Sequence, residues 1–136
     1  MPEISECRLT VDYLNRTLQN KKITSWIFCG GQYTDVNPEG YQEFDEALPL
    51  LVKEVNCKGK FIYFQIDKFD IHHTLGMTGT WRFPGRGDHK HRRLVLKTDK
   101  GEITYVDYRK FGTFKIFHDK PDTLNKKLGK IGRAHV

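Results

Sequence analysis

The sequence predicts a mainly β fold of the α+β class: a two-layer antiparallel β-sandwich led by one N-terminal amphipathic helix. Three observations predict it. The apolar residues Ile4, Cys7, Val11, Leu14 and Leu18 recur at alternating three- and four-residue steps, which lines one face of a helix. From Leu50 onward the chain breaks into short apolar and β-branched segments, separated by Gly, Pro or Asp-Lys-Gly turns. At 136 residues it has room for one hydrophobic core, and no internal repeat or low-complexity stretch divides it.

The elements follow in order. The helix spans Ile4 to Leu18 and stops at the polar run Gln19-Asn20-Lys21-Lys22; Leu9 falls off its apolar stripe. Ile23 to Phe28 reads as a strand, Gly30-Gly31 as a turn and Asn37-Pro38-Glu39-Gly40 as a loop. Tyr41 to Leu48 reads as a short helix before Pro49. Strands are predicted at Leu50 to Asn56, Lys60 to Ile66, Asp70 to Thr74, Thr78 to Phe83, Arg92 to Thr98, Ile103 to Tyr108 and Thr113 to Phe117. A helical turn is predicted at Thr123 to Leu128. Residues 1–130 are expected to form one domain. Ile131 to Val136 reads as a non-native tail, because Ile-Gly-Arg-Ala-His-Val is what ATC GGA AGA GCA CAC GTC encodes, a sequencing-adapter string read in frame.

The formal charge is +6 and the isoelectric point about 9.2. Such a balance suits a polyanionic partner, since each Lys or Arg set on a phosphate releases condensed counterions. Charge alone raises that prior only modestly; its placement says more. Lys58-Gly59-Lys60, Arg82 to Arg93, Arg109-Lys110 and Lys126 to Arg133 all fall in the last two-thirds of the chain, interleaved with aromatics. The three cysteines, Cys7, Cys29 and Cys57, are odd in number and lack C-x-x-C spacing, so reduced thiols in an intracellular protein are expected. No stretch approaches the ~20 apolar residues of a membrane span, and no signal peptide opens the chain. The expected localisation is nucleoid, nucleus or cytoplasm rather than secretion.

The chain opens Met1-Pro2-Glu3. Removal of the initiator Met would leave a free N-terminal proline, a secondary amine. With an α-amino pKa of about 8, a useful fraction is neutral and nucleophilic near pH 7. Attack on an aldehydic sugar carbon would give a cationic Schiff base, an electron sink. Glu3 stands beside that amine and Glu6 one helical turn later, placed for acid–base work. Taken alone, Met-Pro-Glu reads more simply as an ordinary chain start. Three further segments stand out, though each also has a plainer reading. Gly59-Lys60-Phe61 could be a hairpin tip, Leu75-Gly76-Met77-Thr78-Gly79 could carry a core methionine, and Asp107-Tyr108-Arg109-Lys110-Phe111-Gly112 could end a strand with a solvated charge pair.

In this order and at these separations, the segments resemble the N-terminal domain of the formamidopyrimidine-DNA glycosylase and endonuclease VIII family. The resemblance runs from residue 1 to about 130. Family members begin Met-Pro-Glu-x-Pro-Glu, and this chain reads Met1-Pro2-Glu3-Ile4-Ser5-Glu6. They then carry Gly/Ala-Lys-Tyr/Phe, Leu-Gly-Met-Ser/Thr-Gly, a His-x-His stretch and Asp-x-Arg-Arg-Phe-Gly. These are matched by Gly59 to Phe61, Leu75 to Gly79, His89-Lys90-His91 and Asp107 to Gly112.

The resemblance implies a role for each matched residue. Pro2 would be the nucleophile, Glu3 the acid/base on the sugar and Glu6 its support, while Lys60 would hold the phosphate beside the lesion. Met77, Arg109 and Phe111 would fill the space left by an extruded base. His89 and Lys110 would contact the DNA backbone. His89-x-His91 lacks further ligands for a metal, so no metal or other cofactor is expected in this chain; any zinc would belong to the family's second domain. That helix–two-turns–helix and zinc-finger domain is expected beyond residue 130 and absent here. Three departures stand out: Ser5 replaces a proline, Lys110 replaces an arginine, and the spacer Ile71-His72-His73-Thr74 differs enough that no role is carried onto it.

The implied function is a base-excision-repair DNA glycosylase and AP lyase. It would remove oxidised bases, purines favoured, through an N-terminal proline Schiff base with β- or β,δ-elimination, and be weak or inactive alone at this length. The expected partner is double-stranded DNA carrying oxidised bases or abasic sites, met by a monomer with no membrane association. The alternative is a non-catalytic module that binds damaged or single-stranded DNA; a basic β-sandwich with a protein partner is a third reading.

Overall fold

The computed structural model describes residues 4–82, 89–109 and 112–118. Helix α1 covers Ile4–Leu18 and α2 covers Tyr41–Ala47. The strands are β1 (Lys22–Phe28), β2 (Leu50–Lys58), β3 (Phe61–Ile66), β4 (Phe69–Thr74), β5 (Gly79–Arg82), β6 (Arg92–Thr98), β7 (Gly101–Asp107) and β8 (Thr113–His118). Two short 3-10 turns, Gly31–Tyr33 and His89–His91, are additions to the predicted elements. The predicted helical turn at Thr123 to Leu128, the tail from Ile131 and the last residue of the predicted strand at Phe83 lie outside the described residues.

The strands form one antiparallel sheet of eight in the order β5-β7-β6-β1-β2-β3-β4-β8. β1 and β2 pair only through Lys22 with Leu51 and Ile23 with Leu50. So short a join lets the sheet bend there, and its two halves close over one another as two layers. Aromatics fill the space between them. Trp26 of β1 meets Phe64 of β3 edge-on at 5.7 Å and Phe114 of β8 at 6.0 Å. Trp81 of β5 lies 5.9 Å from Phe64, and Tyr105 of β7 lies 4.9 Å from His73 of β4. The sequence pattern explains which rings turn inward: β3 buries Ile62, Phe64 and Ile66 and leaves Phe61, Tyr63 and Gln65 on the outer face. α2 adds Phe44, edge-on to Trp26 and Phe69 at 5.3 Å each, and the Tyr41 hydroxyl donates to the Trp26 carbonyl.

α1 buries Cys7, Val11, Leu14 and Leu18, while Leu9 is 68% exposed, as its place off the stripe predicts. Its end is set by Asn20 in the left-handed region (φ 66), a conformation asparagine tolerates, and by Lys21, whose ammonium donates to the Thr17 carbonyl at 2.8 Å. The helix runs antiparallel to β2: Asn15 lies at Val55, Arg8 at Cys57 and Cys7 at Lys60. Asn15 clamps the pair, donating to the Val55 carbonyl at 2.6 Å and accepting from its amide at 2.7 Å. Asn15→Ala would orphan both backbone groups of a buried residue, so a loss of about 2 kcal/mol is expected in urea unfolding. A change below about 0.5 kcal/mol would show that water replaces the side chain. Among the described residues no helix is long and apolar enough to cross a membrane.

Candidate functional site

The antiparallel register decides which loops share an end of the sheet. Lys58 pairs with Phe61, Ile62 with His73, Thr74 with Thr113, and Gly79 with Asp107. The turn at Gly59-Lys60, the loop at residues 75–78 and the segment after Asp107 therefore lie along one rim. Arg92 pairs with Val106, which brings the His89–His91 turn to the same rim, where the His91 ring sits 4.2 Å from that of Tyr108. The first turn of α1 joins them, for the Cys7 thiol lies 3.6 Å from the Lys60 carbonyl. Five distant stretches of sequence thus meet at one end.

At the α1 side, Glu6 and Lys60 are both exposed and bracket the buried Cys7. Burial, then Cys57 and Glu6, push the Cys7 thiol up, and the Lys60 ammonium opposes them. At the other side, Met77 is 57% exposed in its glycine-flanked loop, not the core methionine of the plainer reading, and Arg109 is also exposed. Pro2, Glu3, Lys110 and Phe111 lie outside the described residues, and His89 is placed by its backbone in the 3-10 turn.

The loops bearing Met77 and Arg109 are locked together by Asp107, a residue assigned no role from sequence although it opens the quoted motif. Its carboxylate is 1% exposed. Oδ1 accepts from the Thr78 hydroxyl at 2.6 Å and the Arg109 amide at 3.2 Å. Oδ2 accepts from the Gly112 amide at 2.7 Å and faces the Tyr105 hydroxyl at 3.0 Å. Thr78 also accepts from the Arg109 amide at 3.0 Å, and the Tyr105 hydroxyl lies 2.9 Å from the Leu75 carbonyl. Burial pushes the Asp107 carboxyl up, but the bonds from Thr78, Gly112, Tyr105 and Arg109 outweigh it and hold the group below the ordinary carboxylate value. Two glycines make room for this lock. A Cβ at Gly79 would sit 2.1 Å from the Leu75 carbonyl and the Tyr105 hydroxyl, and one at Gly112 would sit 1.9 Å from that hydroxyl. Any side chain there would push the loops apart.

His73, left without a role in the sequence reading, is a core residue. It is 0% exposed, stacked on Phe114 at 4.2 Å and 11°. Nδ1 lies 2.9 Å from the Thr113 carbonyl, and Nε2 accepts from the Trp81 indole at 3.2 Å, which fixes the neutral ring with its proton on Nδ1.

The sequence and fold agree with known proteins. A family model described as the formamidopyrimidine-DNA glycosylase N-terminal domain matches residues 1–114. The formamidopyrimidine-DNA glycosylase of Lactococcus lactis subsp. cremoris is 28% identical over 136 residues, 95% of this chain and 49% of that protein. Its Streptococcus pneumoniae counterpart is 32% identical over 139 residues, covering 95% and 48%. Among solved structures, Lactococcus lactis Fpg bound to DNA containing an abasic site superposes with a TM-score of 0.76 at 25% identity, covering 95% of this chain and 48% of that one. The chain spans about half the length of the curated relatives it matches. With 114 of its residues under one family model, the chain belongs to the formamidopyrimidine-DNA glycosylase N-terminal domain family.

Proposed function

We propose that this chain is the nucleophile-bearing part of a DNA glycosylase and AP lyase that acts on oxidised bases, purines first, in double-stranded DNA. The observation that supports it most is the meeting of α1's first turn with the Lys60 turn on the rim that also carries Met77 and Arg109.

In this reading the Pro2 nitrogen attacks C1′ of the damaged nucleotide, the N-glycosylic bond breaks and the base departs. Glu3 protonates the ring oxygen as the sugar opens, which leaves a cationic Schiff base on C1′. Loss of a C2′ proton then expels the 3′ phosphate, and water releases the sugar remnant from Pro2. Lys60 holds the adjacent phosphate as a point charge. Met77, Arg109 and Phe111 occupy the gap left by the extruded base and offset part of its unstacking, a few kcal/mol. Glu6 supports the acid–base pair; His89 and Lys110 contact the backbone.

Borohydride reduction in the presence of abasic-site duplex tests the chemistry. The expected result is a covalent protein–DNA adduct that is lost in Pro2→Gly with Met1 retained. No adduct alongside tight, salt-sensitive binding would leave a binding module without chemistry and overturn the lyase. A second comparison separates roles. Lys60→Ala should weaken binding to all DNA about tenfold and lower the salt slope by about one. Phe111→Ala should reduce adduct yield on lesion duplex more than it reduces association. Equal losses in both assays for both variants would refute this division.

A further inference from the structure

The outward face of β2, β3, β4 and β8 carries a second feature, which starts beside the Gly59-Lys60 turn and runs across the sheet. Alternation sets Asn56 and Lys58, Phe61 and Tyr63, His72, and Lys115 on this one face. The Phe61 and Tyr63 rings lie 6.4 Å apart and 25° from parallel, and the His72 ring meets Tyr63 edge-on at 4.7 Å. Cations flank this row in register: Lys58 stands directly opposite Phe61, and Lys115 directly opposite His72, both exposed. The carboxylates that share the face, Glu54 and Asp70, both pair with Gln65 at its far end.

Cross-strand aromatic pairs stabilise sheets by themselves, but that role does not explain why Phe61 leaves 50% of its surface in water opposite Lys58. Aromatic rings on neighbouring strands, bordered by cations on one half of a sheet face, match the chemistry of a single nucleic-acid strand: bases stack on rings while phosphates meet ammonium groups. An acidic protein segment would satisfy Lys58 and Lys115 but leave the flat rings without a planar partner. We propose that Phe61, Tyr63 and His72, with Lys58 and Lys115, form a stacking platform for single-stranded DNA on the outer sheet face, separate from the loops that carry Met77 and Arg109. The platform does not depend on the lyase reading.

Fluorescence anisotropy of the whole chain with a labelled oligothymidylate tests it. Phe61→Leu combined with Tyr63→Leu keeps apolar bulk but removes the π-faces; about tenfold weaker binding with an unchanged salt slope is expected. Lys58→Ala with Lys115→Ala should lower the salt slope by about 1.4, at about 0.7 per single-strand phosphate contact. Three results would each overturn the platform: no binding of the oligomer at low salt, unchanged affinity in the Leu pair, or equal affinity for a strand of the same length without bases. Should circular dichroism show that the Leu pair is unfolded, Phe61→Leu alone decides, with about threefold weakening expected and none overturning the idea. Pro2→Gly with Met1 retained is expected to lose the borohydride adduct yet bind oligothymidylate normally, so the platform and the lyase can fail separately.

Discussion

Asp107→Asn is expected to destabilise the domain by about 3–5 kcal/mol and to abolish productive engagement of lesion duplex, although the substitution removes no atom of bulk. The four groups around the carboxylate are the Thr78 hydroxyl, the Tyr105 hydroxyl and the amides of Arg109 and Gly112. All four present hydrogens, so the site calls for an acceptor at both oxygens. An asparagine supplies one acceptor and turns an NH2 against either Gly112 or Arg109, whose backbone donors cannot rotate away. The Tyr105 hydroxyl can turn to the Leu75 carbonyl at 2.9 Å and Thr78 can rotate, but the backbone amide beside the NH2 stays unsatisfied and buried. The functional loss follows from the same bonds. The Arg109 amide is held by Thr78 and Asp107, and Thr78 directly follows Met77, so freeing one loop frees the other. Urea unfolding reads the first effect; adduct yield on lesion duplex, set against binding of the platform's single-stranded ligand, reads the second. A destabilisation below about 1 kcal/mol would show that the carboxylate does not hold the loops.

The sequence made the elements legible because they rest on local pattern. α1 was predicted at its observed bounds, Ile4 to Leu18, since its stripe and its polar stop are both written in consecutive residues. β6 was also placed at its observed bounds, and most other strands shifted by one or two residues where pairing, not side-chain type, sets the end. β2 continues to Lys58 because its partner β3 is there to receive the bonds, which no local signal announces. The rim was legible only through the family resemblance. Nothing in the spacing of Lys60, Met77 and Arg109 states that the sheet register would bring their loops to one end. Asp107 and His73 show where reading residues in isolation stops. A buried carboxylate satisfied by four donors and a neutral core histidine look, in sequence, like any exposed acid and any pocket imidazole. Their partners are Thr78 and Gly112 in one case and Trp81 and Thr113 in the other, all placed by tertiary structure.

The histidine yields the second large effect, a loss of about 3 kcal/mol of stability on acidification from neutral pH to pH 4. Complete burial drives the His73 pKa down from 6.5 to about 4, against the opposing pull of the Thr113 carbonyl and the Asp107 charge. Above pH ~6.5 the ring is neutral in both folded and unfolded chains, and the native arrangement has its full stability. Between 6.5 and 4 the unfolded chain takes up a proton that the folded core refuses, so unfolding becomes progressively easier. Below about 4 the ring is charged in both states and this contribution is spent. A proton on Nε2 would also cancel the bond accepted from Trp81 and leave two donors facing each other in the core. Asp107 acts in a separate window: its carboxyl lies below the ordinary value of 3.8, so its share is lost only as pH falls through that lower range. His73→Phe separates the two. It keeps a ring against Phe114 but cannot titrate, so its stability should start lower, with the Trp81 and Thr113 groups unpaired, and stay nearly flat from pH 6.5 to 4. Urea midpoints across that range measure it. A wild-type chain as stable at pH 4.5 as at pH 7, or a variant that keeps the wild-type slope, would place the titrating group elsewhere than in this core.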